Sequence, residues 1–429
     1  MSKKILIITY YWPPSGGSGV QRWLYFSKYL KKLGYSPIIL TIKFESSSYP
    51  SLDQSLKAEA VGIPIYHVKA FNWIRLYSWF KYGFNDSKKV PQGEFSKDGI
   101  LDHVASFLRG NFFIPDARIS WVKPAIKKCI EIINENKINK VITTGPPHST
   151  HLIGLKLKSS LNINWIADFR DPWSDLFYLK SFYRLPFAKK KDKKLETDVL
   201  SNADCILTTT SKNFHKELQS KITRKQKFYQ IYNGFDFELF NKTKKNKSKE
   251  FKIVFTGLLT KNHSYKSIIK SFLKLKNLYP KMNFKVVFAG IISDSILENL
   301  KTIPNFSYSG YLEHSKAVNL MCQANILINF LFIQNKKPSM ISGKLIEYMA
   351  TGNPILMIGD TASEASNLLS KQSYNLTVNP SDIDLIISFF KTNYDNWING
   401  IKHEPEYNAV LPYTREKNTK NLIKIIEGL

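Results

Sequence analysis

The stretch "KKILIITYYWPPSGGSGVQRWLYFSKYL" (residues 3–30) decides the fold class. Its apolar run has the length of a strand, and residues 19–33 carry apolar side chains at helical spacing, so it predicts a strand, a glycine-rich turn and a helix. Glycines at such a turn let the backbone approach a ligand, and the start of the helix offers unpaired amides to an anion. The loop therefore predicts an anion-binding site, and a tight turn without any ligand is the competing interpretation.

The same alternation of apolar strands and helices continues in both halves of the chain and is typical of a doubly wound parallel sheet. A charged, polar tract at 241–250 interrupts it and predicts a linker. We therefore expect an α/β protein of two tandem doubly wound, Rossmann-like domains, at 1–240 and 251–410. A helix in the segment 411–429 is expected to pack back toward the N-terminal domain. The segment 72–97 fits no alternation and is interpreted as a long excursion from the first domain.

The composition is that of a soluble globular protein, with 43% hydrophobic and 22% charged residues in 429. No segment resembles a signal peptide or a membrane span, so we expect a cytoplasmic protein. The 3 cysteines are far apart in sequence, which argues against a disulfide framework and a zinc site. The net charge of +28 attracts nucleic acid, anionic lipid or phosphorylated substrates, although a lysine-rich composition alone accounts for part of it.

Three further segments carry candidate residues, and the first two of them follow predicted strands. These are "TTGPPHSTH" (143–151), "ADFRDPWSD" (167–175) and "SGKLIEYMATGNPILMIGD" (342–360). Ligands bind outside the carboxyl ends of the strands in open parallel sheets, and two sheets whose carboxyl ends face each other would enclose a cleft. In the last segment, Lys344 at the start of a predicted helix suits a diphosphate, and Glu347 could accept hydrogen bonds from ribose hydroxyls.

Other site types find less support. A nicotinamide-binding fingerprint would need a third glycine where Arg22 stands and an acidic residue where the second strand ends in Thr41 and Ile42. No phosphate loop, nucleophile elbow or metal-spaced histidine cluster occurs. A basic nucleic-acid-binding protein is the alternative from a different class, but no recognition module appears.

Together these motifs resemble the GT-B glycosyltransferases, and within them the large retaining group called family 4. The first-strand loop "YYWPPSGGSGVQR", the segment "YNGFD" (232–236) and the stretch "GKLIEYMATGNPIL" resemble the family's motifs in order along the chain. The loops "TGPPHSTH" and "ADFRDPW" look like those of a bacterial branch that builds surface polysaccharides such as O-antigen and capsule.

The resemblance implies transfer of a sugar from a UDP- or GDP-linked donor, bound mainly by the second domain. The acceptor, a saccharide or lipid-linked oligosaccharide, would bind mainly to the first. The resemblance further implies no bound metal or cofactor, and retention in which the leaving phosphate helps to deprotonate the acceptor. A GT-B nucleotide-sugar epimerase and an inverting transferase remain as alternatives.

The resemblance also assigns candidate roles to individual residues. The catalytic candidates are His148, Asp168 and Asp171. The acceptor-binding candidates are Arg22, His151 and Arg170. The donor-binding candidates are Gly16, Gly17, Ser18, Gly19, Gly257, Lys261, Lys266, Ser342, Gly343, Lys344 and Glu347.

The chain departs from the family pattern at two places. Ser339 stands where many members carry a first carboxylate before Glu347. Leu258 and His263 stand near the positions of an Arg and a Lys, so Lys261, Lys266 or Lys344 is expected to replace the missing diphosphate ligands, and the sequence does not choose among them.

Two segments, 71–84 and 176–194, mix aromatic residues with Lys and Arg. They predict peripheral docking at an anionic membrane surface, here the inner face of the cell membrane. The competing interpretation is that these aromatic residues belong to the protein core.

Overall fold

In a computed structural model, residues 3–82, 100–176, 179, 182–209, 212–243, 250–332, 341–401, 403 and 406–429 are described. The chain divides into two compact units. The first comprises Met1–Ile231 and Thr419–Leu429, and the second comprises Tyr232–Asn418. Residues 244–249 of the predicted linker, 83–97 of the predicted excursion and Ser339 lie outside the described residues.

The first unit is built on a 7-stranded parallel sheet in the order β3-β2-β1-β4-β5-β6-β7. Its strands are β1 (Lys4–Ile8), β2 (Ser36–Ile42), β3 (Ile65–Val68), β4 (Lys140–Gly145), β5 (Asn164–Phe169), β6 (Cys205–Thr208) and β7 (Phe228–Gln230). Its helices are α1 (Ser18–Lys32), α2 (Trp73–Tyr82), α3 (Ile100–Phe112), α4 (Val122–Asn136), α5 (Ser149–Ser160), α6 (Pro186–Asn202) and α7 (Lys212–Gln219).

Strand β1 shows why this sheet is covered on both faces. Successive side chains of a strand point to opposite faces. Leu6 and Ile8 pack into one hydrophobic core with helix α4, whereas Ile5 and Ile7 pack into another with α1. Because both sets are apolar and fully buried, the sheet carries helices on each side.

The second unit repeats this plan with a 6-stranded parallel sheet in the order β10-β9-β8-β11-β12-β13. Its strands are β8 (Phe251–Leu259), β9 (Phe284–Ile292), β10 (Phe306–Tyr308), β11 (Ile326–Phe330), β12 (Ile355–Ile358) and β13 (Leu376–Val378). Its helices are α8 (Phe237–Lys242), α9 (Tyr265–Leu278), α10 (Asp294–Leu300), α11 (His314–Cys322), α12 (Gly343–Thr351), α13 (Glu364–Leu369), α14 (Ile383–Ile398) and α15 (Tyr407–Val410).

The last helix, α16 (Arg415–Glu427), begins in the second unit and continues into the first. Leu422 and Ile426 are buried in the core that also contains Ile5 and Ile7. Tyr35 donates a hydrogen bond to Glu427, which adds a polar contact to this packing.

Both sheets reverse their strand order at one point, between β1 and β4 in the first unit and between β8 and β11 in the second. At such a switch point the connections leave in opposite directions and open a crevice at the carboxyl ends of the strands. The prediction of two tandem doubly wound parallel-sheet domains is confirmed. The helices that the sequence reasoning missed include α2 and α3, which flank the undescribed part of the excursion, α6 and, in the second unit, α14.

Candidate functional site

In the second unit, Lys344 lies at the carboxyl end of β8. Its helix, α12, is fixed to this strand by Tyr348, whose hydroxyl accepts a hydrogen bond from the backbone N–H of Thr256 (2.7 Å). Lys344 and Tyr348 are four residues apart and share a helix face. The Lys344 Nζ therefore lies over the ring of Phe255, 4.2 Å from its centroid. A Cβ at Gly257 would come within 3.3 Å of this Nζ, so the absence of a side chain at position 257 leaves room for the ammonium group.

The charge of Lys344 is not compensated by its neighbours. Among the described residues, no carboxylate and no hydrogen-bond acceptor contacts its Nζ. Burial lowers the pKa of Lys344 to about 7, because the charged form loses hydration there. A half-buried cation that lacks an anion is suited to bind one.

The start of α12 adds further donors beside Lys344. Ser342 occupies the N-cap position, but its side chain makes no capping hydrogen bond, and its buried Oγ has no partner in the described part of the chain. The first turn contains no acidic residue. The amides of Gly343 and Lys344, whose carbonyl partners a helix start lacks, are thus placed beside a hydroxyl and an ammonium.

Glu347 lies one turn further along α12 and is 8% exposed. Its Oε1 accepts hydrogen bonds from His314 Nε2 (2.8 Å) and Arg415 Nη2 (3.4 Å). Burial alone would raise the pKa of Glu347, but His314 and Arg415 outweigh this effect and hold the pKa below its usual value. Glu347 is therefore an ionised acceptor in a fixed orientation, and no donor among the described residues contacts its Oε2.

The other residues of this unit that were predicted to bind the donor are one glycine and two lysines. Gly257 is next to Lys344 and has a φ of 121°, which favours glycine. Lys261 and Lys266 are exposed. His263, near a position where the family carries a basic residue, is buried, and burial together with Lys344 lowers its pKa to about 4. The imidazole is therefore neutral at pH 7.

In the first unit, the glycine loop precedes α1, which begins at Ser18. Gly16 donates its backbone N–H to the carbonyl of Ser51 (2.9 Å). Gly17 has φ 93° and ψ 165°, a conformation essentially restricted to glycine. A Cβ at Gly19 would lie 2.3 Å from Arg170 Nη1. Backbone conformation thus accounts for the glycine at position 17, and the packed guanidinium of Arg170 accounts for the glycine at position 19. Neither explanation needs a bound ligand.

Arg22 and Asp168 form a buried ion pair at the ends of α1 and β5, with Nη2 2.9 Å from Oδ1 and side chains 1% and 0% exposed. Asp168 also accepts hydrogen bonds from Trp23 Nε1 (2.7 Å) and Thr144 Oγ1 (2.9 Å). Arg22 Nη1 donates to the carbonyl of Ile231 (2.8 Å). These contacts argue that the pair anchors α1 to the sheet.

His148 and His151 are buried next to each other at the carboxyl end of β4. His148 stacks on Trp173 and places Nε2 3.0 Å from the carbonyl of Pro172, so this nitrogen carries a proton. A Cβ at Gly145 would lie 2.6 Å from His151 Nε2 and 3.0 Å from His148 Nδ1, so both atoms converge on that glycine.

Burial is the main cause that keeps this histidine pair neutral. It lowers the pKa of His148 to about 4, although the nearby Asp116 opposes the shift. Burial, His148 and Arg170 all lower the pKa of His151. Asp116 also accepts hydrogen bonds from the backbone N–H (2.8 Å) and the hydroxyl (2.9 Å) of Ser149, so a carboxylate already occupies the start of α5.

Arg170 and Asp171 follow β5 directly. Arg170 donates to the backbone carbonyls of Gly145 and Pro146. Asp171 is partly exposed, and no described residue donates a hydrogen bond to its carboxylate. Burial raises the pKa of Asp171 despite the opposing charge of Arg170, and Asp168 adds to the increase. Of the three catalytic candidates, Asp171 has the carboxylate that is open to a ligand.

Helix α6 holds the loop that follows Asp171. Asp192 Oδ1 accepts from Trp173 Nε1 (2.7 Å), and Glu196 Oε2 accepts from Ser174 Oγ (2.5 Å). Both carboxylates are buried, and Arg184 lies 2.8 Å from Asp192 Oδ2. This network fixes Trp173, and through it the stacked His148.

Sequence reasoning missed several residues of both groups: His314, Arg415, Asp116, Asp192 and Glu196. His314 and Arg415 lie far from Glu347 in sequence, so no local motif joins them. Asp192 and Glu196 carried a signal, because they are acidic residues inside a lysine-rich run at the spacing of one helix face.

The described residues contain no cluster of three or more His, Cys, Asp or Glu side chains arranged to hold a metal ion. In the part of the chain that the structure describes, every helix is too short or too polar to cross a membrane.

Known proteins resemble this chain in their fold. The sequence matches no family model and no curated protein. Solved structures do match over the full length. One is sucrose-phosphate synthase from Thermosynechococcus elongatus, with a TM-score of 0.63 and 12% identity, covering 99% of this chain and 98% of that one.

A glycosyltransferase from Rickettsia africae matches with a TM-score of 0.62 and 15% identity, covering 100% of this chain and 98% of that one. Anabaena HepE in complex with UDP matches with a TM-score of 0.62 and 10% identity, covering 99% of this chain and 100% of that one. These proteins share the two-domain fold described above. The fold of this chain is GT-B. Identities this low show a common fold, so the activity has to be argued from the site.

Proposed function

We propose that this protein is a glycosyltransferase that moves a sugar from a nucleotide-diphosphate sugar to a saccharide acceptor. The observation that carries the proposal is Lys344, a cation with a pKa lowered to about 7 and no anionic neighbour among the described residues, at the start of α12. A diphosphate bound there would supply the missing negative charge.

The neighbouring groups support a nucleotide in this place. Ser342 Oγ and the first amides of α12 are donors for phosphate oxygens. Glu347 Oε2 lies one helical turn away and can accept a hydrogen bond from a ribose hydroxyl, while His314 and Arg415 hold Oε1. The match to HepE, which was solved with UDP and with UDP-glucose, favours a UDP-linked donor.

During the reaction, the ammonium group of Lys344 would stabilise the charge that develops on the leaving diphosphate, as preorganised cations do in a site partly shielded from water. In the first unit, Asp171 is the group that we assign to the acceptor hydroxyl, because its carboxylate is partly exposed and could orient that hydroxyl by accepting its hydrogen bond. Asp168, Arg22, His148 and His151 would act by holding α1 and the β4 and β5 loops in position.

We further propose that the acceptor belongs to cell-surface polysaccharide synthesis, that the reaction proceeds with retention and without a bound metal, and that the protein works in the cytoplasm at the membrane. The sequence resemblance to the surface-polysaccharide branch of family 4 supports these finer assignments.

A thermal-shift panel of UDP, GDP, CMP and NAD tests the nucleotide assignment. A nucleoside diphosphate at a hundredfold excess over its Kd should add about 2.7 kcal/mol of stability. We expect the shift to disappear in Lys344→Met and to persist in Lys266→Gln, which removes an exposed lysine of the same unit. A shift with NAD alone, or equal shifts in both variants, would contradict the proposal.

Product analysis separates the transferase from an epimerase. With donor alone, an epimerase would convert the sugar, whereas a transferase should release nucleoside diphosphate only when acceptor is present. In the transferase, Asp171→Asn should lower kcat by a factor of roughly 100, because the acceptor hydroxyl loses the carboxylate that orients it, with unchanged UDP affinity.

A further inference from the structure

Helix α3 exposes a row of apolar side chains. Val104, Leu108 and Phe112 are 49%, 45% and 64% exposed. They are four residues apart and therefore share one face of the helix. Large exposed apolar side chains that form a contiguous surface, unlike scattered ones, mark a site of interaction.

The segment before α6 extends this row. Arg184 Nε donates to the carbonyl of Gly110 (3.1 Å), and the backbone N–H of Leu185 donates to Asn111 Oδ1 (2.7 Å). Leu185 and Phe187 are 41% and 51% exposed and so lie next to the end of α3. We call the exposed side chains of this region the apolar patch: Val104, Leu108, Phe112, Leu185 and Phe187.

Helix α6 carries a lysine stripe directly beside the patch. Phe187 shares a helix face with Lys190, Lys191 and Lys194, at spacings of three, four and seven residues. We define the lysine stripe as the exposed lysines of this helix: Lys189, Lys190, Lys191, Lys193 and Lys194.

The stripe is not neutralised by the acidic residues in the same run. Asp192 and Glu196 are 0% and 1% exposed and point toward Trp173 and Ser174. Of the stripe, Lys194 pairs with Asp198 (2.7 Å), and the others have no ion pair among the described residues. Asp192 and Glu196 thus hold the helix against the loop, while the exposed side carries five lysines and the one partly exposed carboxylate of Asp198.

We propose that the apolar patch and the lysine stripe dock on the surface of a bilayer that contains anionic phospholipids. Apolar side chains flanked by lysines match the two layers of such a surface, the acyl boundary and the negatively charged headgroups. A protein partner would equally cover the apolar patch, but charge complementarity favours the lipid. The proposal rests on the membrane association proposed above and names the surface responsible, and because its test measures vesicle binding alone, it can fail separately from the transferase activity.

Co-sedimentation with vesicles tests the electrostatic part. Wild-type protein should bind vesicles of phosphatidylcholine with phosphatidylglycerol and not vesicles of phosphatidylcholine alone, and high salt should release it. Neutralising Lys190, Lys191 and Lys193 to Gln should weaken binding roughly 100-fold, at the usual contribution of a lysine near an anionic membrane.

A matched control removes the same net charge elsewhere on the first unit, by Lys57→Gln, Lys123→Gln and Lys127→Gln. These lysines are exposed and lie outside the stripe. The control variant should bind within a few-fold of wild type. Equal weakening in both triple variants would show a general effect of the net charge and overturn the assignment of the surface.

The apolar part has its own pair of variants. Phe112→Ser should weaken vesicle binding roughly tenfold, because one buried aromatic side chain is lost from the interface. Val61→Ser, at a site 76% exposed and outside the patch, should have no effect. If the lysine variant weakens binding and Phe112→Ser does not, the stripe binds polyanions in general and the membrane proposal is wrong. Equal binding to both vesicle types overturns it as well.

Discussion

Lys344 should take up a proton when a nucleoside diphosphate binds. Burial lowers the pKa of this residue to about 7 in the free protein, and a bound diphosphate would raise it again by supplying a negative charge. A group that is more protonated in the complex than in the free protein takes up a proton on binding. At pH 8, about nine-tenths of the free protein would carry neutral Lys344, so each bound nucleotide should take up roughly 0.9 proton.

The same linkage sets the pH dependence of the affinity. The charged fraction of the free lysine falls from about one half at pH 7 to about one hundredth at pH 9. The affinity should therefore fall roughly 50-fold over this range, equivalent to about 2.3 kcal/mol. The nucleotide's own phosphates contribute little, because their second ionisation lies near pH 6 and is complete at the upper end.

Titration calorimetry at pH 8, in buffers that differ in ionisation enthalpy, measures the proton uptake directly. Lys344→Arg is the matched control, because a guanidinium stays charged throughout. This variant should bind with almost no proton uptake and with a flat pH dependence. Wild-type binding without proton uptake, or the same uptake in the arginine variant, would refute the reasoning.

Three further predictions concern the first unit. Gly19→Ala should lower the free energy of unfolding by about 1–2 kcal/mol, measured by urea denaturation, because its Cβ would displace the hydrogen-bonded guanidinium of Arg170. Asp192→Asn should cost about 3 kcal/mol in the same assay, because it leaves the buried cation of Arg184 without its partner. The pKa of His148, lowered to about 4, makes the folded state bind fewer protons than the unfolded chain below pH 6.5, so this residue should remove about 2 kcal/mol of stability between pH 7 and pH 5.

Each of these three predictions has a control variant that tests whether the named contact causes the effect. Replacing Arg170 by Ala should make Gly19→Ala nearly neutral in a double-mutant cycle. Lys194→Gln breaks an exposed ion pair on the same helix as Asp192 and should change stability by less than about 0.5 kcal/mol. His148→Phe keeps the stacking on Trp173 and should flatten the pH dependence. The opposite result in any control would show that the stated contact is not the cause.

The fold could be predicted well because its pattern is local. Apolar runs such as "KILII" and "FKIVF" have strand length, and the predicted helix at 19–33 agrees with α1 (Ser18–Lys32) within one residue. Helix α6 was missed because its buried face consists partly of the carboxylates Asp192 and Glu196. A hydrophobic period cannot reveal a helix that packs through ion pairs.

The candidate site was predicted only in part, because its chemistry depends on contacts between distant segments. The glycine loop was predicted to lack side chains because a ligand approaches it. In the structure, the guanidinium of Arg170, a residue that follows another strand, fills the space that a side chain at Gly19 would need. Glu347 was found from its motif, but its fixed orientation comes from His314 and Arg415. The choice of Lys344 over Lys261 and Lys266 needed burial, which spacing alone does not give.

A crystal structure with the nucleoside diphosphate that stabilises the protein most tests the central claim most directly. The account predicts a diphosphate oxygen within hydrogen-bond distance of Lys344 Nζ, near Gly257 and the first amides of α12, with a ribose hydroxyl on Glu347 Oε2. A nucleotide that is bound away from Lys344, or a diphosphate held only by Lys261 or Lys266, would contradict it.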